Sequence, residues 1–143
     1  MYKRQPYYDK PNSSGDDGLV RIYELQSDNS WSQLGADIIG VEYRDYNGWS
    51  VSMSSDGTRV AVGAYGHDKN GAINAGHVRI YQYTPSGTSS WTLYGDIEGH
   101  GASDFSGTSV SLSADGTRLA IGATHNNGVN GTCLLYTSPS PRD

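Results

Sequence analysis

The sequence predicts an all-β fold of repeated four-stranded units, and three observations predict it. The chain aligns with itself at a spacing of 58 to 60 residues: Gly18–Ile38 matches Gly76–Ile97, and Ser50–Tyr65 matches Ser109–Thr124. Each copy sets Asp-Gly between two stretches of period-two alternation, the pattern of strands joined by a tight hairpin. No segment carries the 3.6-residue apolar stripe of a helix. Four short strands in a period of about forty to sixty residues form the blade of a β-propeller. The expected architecture is therefore a partial β-propeller with four-stranded antiparallel blades; a β-sandwich or β-solenoid is the alternative for the same alternation.

The strands follow in order. Ser50 to Ser54 and Thr58 to Gly63 flank Asp56-Gly57, and the second copy runs from Ser109 to Gly122 around Asp115-Gly116. A polar Gly/Asn loop leads to a third strand, His77 to Tyr83, matched by Leu19 to Leu25, and a Ser/Thr/Gly turn leads to a fourth opening on Trp91, matched by Trp31. Ser50, Ser52, Ser54, Ala61 and Gly63 share one face, with Val51, Met53, Val60 and Val62 on the other. Blades converge at the hub and diverge at the rim, so the small residues belong to inner strands and the tryptophans to the outer one. On this register the chain holds one full blade, about 48–97, and two half blades, about 18–38 and 107–123.

The ends read differently. Residues 1–5, MYKRQ, and 133–143, CLLYTSPSPRD, depart from the repeat in composition and pattern. Back-translated from a GTG start, the first is gtg tat aag aga cag. Its reverse complement, read one base later, encodes Cys-Leu-Leu-Tyr, so one inverted DNA element accounts for both flanks. That element resembles the transposase adapter of sequencing libraries, and residues 6–132 are read as the natural repeat segment, expected to continue in both directions. Cys133, the only cysteine, falls in the second flank, so no disulfide framework is expected. Without Lys3, Arg4, Arg142 and Asp143 the segment keeps seven basic and fourteen acidic residues, a net charge of −7. This opposes nucleic-acid binding, which draws on clustered Lys and Arg. No apolar run approaches the length of a membrane span.

Phe105-Ser106-Gly107-Thr108-Ser109-Val110 with Leu119–Ala123, and Tyr46-Asn47-Gly48-Trp49-Ser50-Val51 with Val60–Ala64, resemble the two signature halves of FG-GAP repeats, the blades of integrin-α-like propellers. Calcium-binding members carry an Asp-rich loop between the halves, where this chain has only Ser-x-Asp-Gly-Thr. Ser-x-Asp-Gly-Thr-Arg also looks like a feature of WD-type propellers. Either resemblance implies a binding scaffold more often than an enzyme.

Few residues suggest chemistry. The loop His67–Asn74, with a counterpart at His125–Asn130, offers Asp68 and Asn70 as candidate calcium ligands, although calcium wants six to eight oxygens and only Asp68 is charged. No other cofactor is suggested. Asp45 and Asp104, each followed by an aromatic residue, are expected to cap backbone amides at the blade crossings, with a place on a ligand rim as the alternative. Asp56, Gly57, Asp115 and Gly116 are expected to form the tight turns. Arg21, Arg79, Arg59 and Arg118 recur and suggest bonds between blades; Trp31 and Trp91 suggest packing; an exposed Trp49 would suit stacking on a sugar. Metalloprotease, nucleophile-elbow, phosphate-loop and zinc-finger patterns are absent, and the four histidines read as unpaired polar residues. Asn12-Ser13-Ser14 and Asn130-Gly131-Thr132 fit glycosylation acceptors. The expected function is a noncatalytic scaffold at the cell surface or outside the cell that binds protein or carbohydrate through its blade-end loops. The rivals are the propeller portion of a larger enzyme with its catalytic residues elsewhere, and an intracellular WD-type platform.

Overall fold

The structure, a computed structural model, describes residues 2–5, 7, 9, 15–85, 90–125 and 132–137. The remainder of the counterpart loop after His125 and both glycosylation triplets, apart from Thr132, lie outside the described residues. Among those described there is no helix, and hence none long and apolar enough to cross a membrane.

The central blade is a four-stranded antiparallel meander of β5 (Ser50–Met53), β6 (Arg59–Ala64), β7 (His77–Thr84) and β8 (Ser90–Glu98), in that spatial order. The preceding blade holds β2 (Leu19–Leu25), with β3 (Trp31–Gln33) and β4 (Ile38–Ile39) pairing along it in turn as a broken outer strand. The following blade holds β9 (Ser106–Leu112) and β10 (Arg118–Ala123). Two strands at the ends complete these sheets: β1 (Tyr2–Gln5) pairs with β2, and β11 (Thr132–Thr137) with β10. The segments read from the sequence as adapter translation thus supply edge strands.

Register explains the division of faces. Ser50 pairs with Gly63, Val51 with Val62, Ser52 with Ala61 and Met53 with Val60, so one face of the inner hairpin is small and the other branched. The branched face packs Val60 and Val62 against Val20, Ile22 and Ile38 of the preceding blade, with Trp91 in the same cluster. The opposite face packs Ala61, Val78 and Ile80 against Leu119 and Ile121 of the next. Each buried valine, leucine or isoleucine here contributes about 1.5–3 kcal/mol.

At the hub the small residues let backbones and hydroxyls meet. Ser50 Oγ donates to the Gly107 carbonyl at 2.7 Å, Ser52 Oγ accepts from the Leu112 amide at 2.9 Å, and Ser55 donates to the Ala114 carbonyl from both its amide and its hydroxyl. At the rim Trp91 Nε1 donates to the Leu34 carbonyl at 2.9 Å, whereas Trp31, its counterpart on the first blade, is 46% exposed. Packing accounts for Trp91, while among the described residues Trp31 stays half exposed. The arginines also divide. Arg59 Nη1 reaches the Gly116 carbonyl of the next blade at 2.9 Å and lies over the Tyr94 ring. Arg21 and Arg79 pair within their own blades, with Asp37 and Asp96.

Candidate functional site

One end of the blades carries the tight hairpins and the other the blade-to-blade connectors. At the hairpin end Gly57 and Gly116 take φ of 71° and 68°. Asp56 Oδ1 accepts from the Ser54 hydroxyl and from the amide and hydroxyl of Thr58, and Asp115 does the same with Ser113 and Thr117. The Ser113 hydroxyl, and then the two Thr117 donors, hold the Asp115 carboxyl at about 2. These four residues sit in turns.

At the connector end Asp45 Oδ2 accepts the Val41 and Glu42 amides at 2.9 and 2.8 Å, and Asp104 Oδ2 accepts those of His100 and Gly101 at 3.0 and 2.7 Å. The residues that follow, Tyr46 and Phe105, have φ of 53° and 54°. Their rings join an aromatic group: Tyr46 stacks on Tyr65 with centroids 5.1 Å apart, Trp49 meets Tyr65 edge-on at 4.8 Å, and Phe105 lies 6.0 Å from Tyr65 and 5.2 Å from His125. Between the central and following blades these residues border a cleft of about 230 Å³, lined by Trp49, Tyr65, Phe105, Thr108, Thr124 and His125. Burial raises the Tyr65 hydroxyl above its ordinary value. Trp49 is half-buried in this group, one wall of a shared cleft instead of an isolated platform.

A second constellation overturns the reading of the histidines. His67 and His77 are buried, and their rings stack with centroids 4.0 Å apart and planes 14° apart. His67 Nδ1 lies 3.0 Å from Asp45 Oδ1. The loop that leaves β6 returns on itself, Gly76 donating its amide to the His67 carbonyl at 2.9 Å, which brings the start of β7 beside His67. Alternation along β7 then sets His77 on the same face as Arg79 and Tyr81, towards the preceding blade. Register comparison contains the signal: His77 occupies the place of Leu19 in the preceding repeat, and both are 1% exposed.

Electrostatics separate the two rings. The hydrogen bond to Asp45 raises His67 despite its burial, while burial and then the neighbouring His67 push His77 down to about 4. Burial favours the neutral form of Asp45, but the His67 bond and the Glu42 and Val41 amides hold it below the usual carboxylate range. The pair accordingly carries one proton readily, on the ring beside the carboxylate, and resists a second. Asp45, His67 and His77 bring candidate donor atoms within 4.8 Å of one another, and among the described residues they form the group that could hold a metal ion.

Asp68 and Asn70 lie outside that group. Both are exposed; Asp68 Oδ1 accepts the Asn74 amide at 2.7 Å, and Asn70 has φ of 48° in the turn between Lys69 and Ala72.

Residues 40–81, from the first connector into β7, match the family model of the FG-GAP repeat. This stretch of the chain is an FG-GAP-like repeat unit. No curated protein matches it. The FG-GAP match contains the Asp45 cap, the inner hairpin and both stacked histidines, so these lie within one repeat unit.

Proposed function

We propose that this FG-GAP-like chain belongs to a noncatalytic propeller scaffold, acting at the cell surface or outside the cell, that binds a protein or carbohydrate ligand at the connector end of its blades. The observation that carries the reading is the cleft between Trp49, Tyr65 and Phe105. Aromatic faces take the apolar face of a sugar ring or an apolar side chain, and Thr108, Thr124 and His125 supply polar groups beside them. Its walls come from two blades, a placement that ties recognition to intact blade packing. The typical setting of FG-GAP repeats supports the extracellular location.

The test is to screen the purified chain on glycan and peptide arrays and to follow any hit by tryptophan fluorescence. Trp49→Ala and Phe105→Ala should each weaken the interaction at least about tenfold, near 1.4 kcal/mol. Absence of any hit, or affinity unchanged in both variants, contradicts the proposal.

A further inference from the structure

We propose that Asp45, His67 and His77 form a site for a divalent transition metal of the zinc type, which fastens the connector between the first two blades to the β6–β7 loop and to β7. The three residues come from three separate segments and are 0, 7 and 1% exposed. Their donor atoms lie within 4.8 Å of one another. His77 Nδ1 is buried with no hydrogen-bond partner, and a metal ion on the ring's other nitrogen would fix the proton on Nδ1, aimed at the Asp96 carboxylate 3.6 Å away.

The surroundings resemble those of a ligand set. Asp45 commits Oδ2 to two backbone amides, which fixes the carboxylate and leaves Oδ1 facing the imidazoles. Asp96 Oδ1 stands 3.6 Å from His77 Nδ1 and is itself anchored, its other oxygen accepting from Arg79 Nε at 2.7 Å. A carboxylate behind a ligating imidazole orients the ring and raises its basicity, which assigns the metal to the nitrogen on the far side of the His77 ring.

Two imidazoles and one carboxylate suit zinc and its neighbours and disfavour calcium and magnesium, which prefer all-oxygen sets. Around an ion with bonds of about 2.0–2.1 Å, ligand atoms sit roughly 3.3 Å apart. Binding therefore draws the donors inward and turns the near-parallel rings until their lone pairs converge. Three protein ligands leave a position for water, but at this burial no substrate approaches, so the role is structural.

The experiment uses the full chain carrying Cys133→Ser, stripped with EDTA and titrated with Zn²⁺ and separately with Ca²⁺ in a calorimeter near neutral pH. The expected result is one Zn²⁺ per chain with micromolar or tighter affinity, a rise of several degrees in Tm, and no response to Ca²⁺. Co²⁺ should give the visible bands of a four-coordinate nitrogen and oxygen site. His77→Leu restores the side chain found at the equivalent position of the preceding blade and should keep the fold by circular dichroism while losing the zinc response; His67→Ala should lose it as well. No stoichiometric binding, or binding that survives both substitutions, overturns the proposal.

Discussion

Trp91→Ala lowers the unfolding free energy by about 3–5 kcal/mol, while Trp31→Ala costs less than about 1 kcal/mol. The two tryptophans occupy the same place in the repeat, yet their surroundings differ. Trp91 is 8% exposed, its ring packs with Tyr83, and its indole nitrogen donates to Leu34 of the neighbouring blade. Removing it opens a void at the rim and leaves that carbonyl without its partner. Trp31 lies on the outer strand β3 and is 46% exposed, so truncation there removes mostly exposed surface. Urea unfolding of the two variants measures the difference. Equal losses would mean that the indole acts within its own sheet and not between blades.

Gly107→Ala should cost about 3 kcal/mol or more and separate the central blade from the next. Gly107 has φ of +89°, and a methyl group on it would lie 2.6 Å from the His77 carbonyl oxygen and 3.1 Å from Gly63 Cα. Both neighbours are backbone of the adjacent blade and cannot move aside as a side chain can. Gly57→Ala is the informative comparison. Its φ of +71° is similar, but the nearest atom to an added methyl is Met53 Sδ at 4.0 Å, so only the conformational penalty of about 1 kcal/mol applies. Chemical denaturation separates the two; matching losses would show that backbone conformation, not close approach, governs the hub.

The parts of the fold that were legible in the sequence are those set by local chemistry. Alternation and Asp-Gly specify the inner hairpins, and serine against valine on opposite faces gives the radial order, because side-chain size decides how close two sheets come. The cap at Asp45 and its copy at Asp104 were visible because the same residue recurs before an aromatic. The His67–His77 stack was not. It depends on a loop returning to the start of β7 and on which blade faces which, neither of which alternation encodes; only the substitution of His77 for Leu19 between repeats marks it. The aromatic cleft was legible in part, since Trp49 stood out while its partners Tyr65 and Phe105 sit in different blades. Recurrence alone did not reveal the carboxylates that Arg21 and Arg79 meet within their own blades, Asp37 and Asp96, since a repeated arginine can serve its own blade as well as its neighbour.

Side-by-side stacking of four-stranded wedges, inner hairpin against inner hairpin, is the claim on which the cleft, the histidine cluster and both stability predictions rest. Cysteine-pair cross-linking tests it most directly. In a Cys133→Ser background, Ser55→Cys with Ala114→Cys joins two residues 59 apart whose backbones meet through the Ser55 amide and the Ala114 carbonyl at 2.9 Å. Ser55→Cys with Leu93→Cys pairs the turn after the innermost strand with the outermost strand of one blade, at least roughly 14 Å apart at the spacing of three strands. The account predicts rapid intramolecular linkage of the first pair by a short cross-linker and little of the second. Efficient linkage between 55 and 93 with none between 55 and 114 would contradict it.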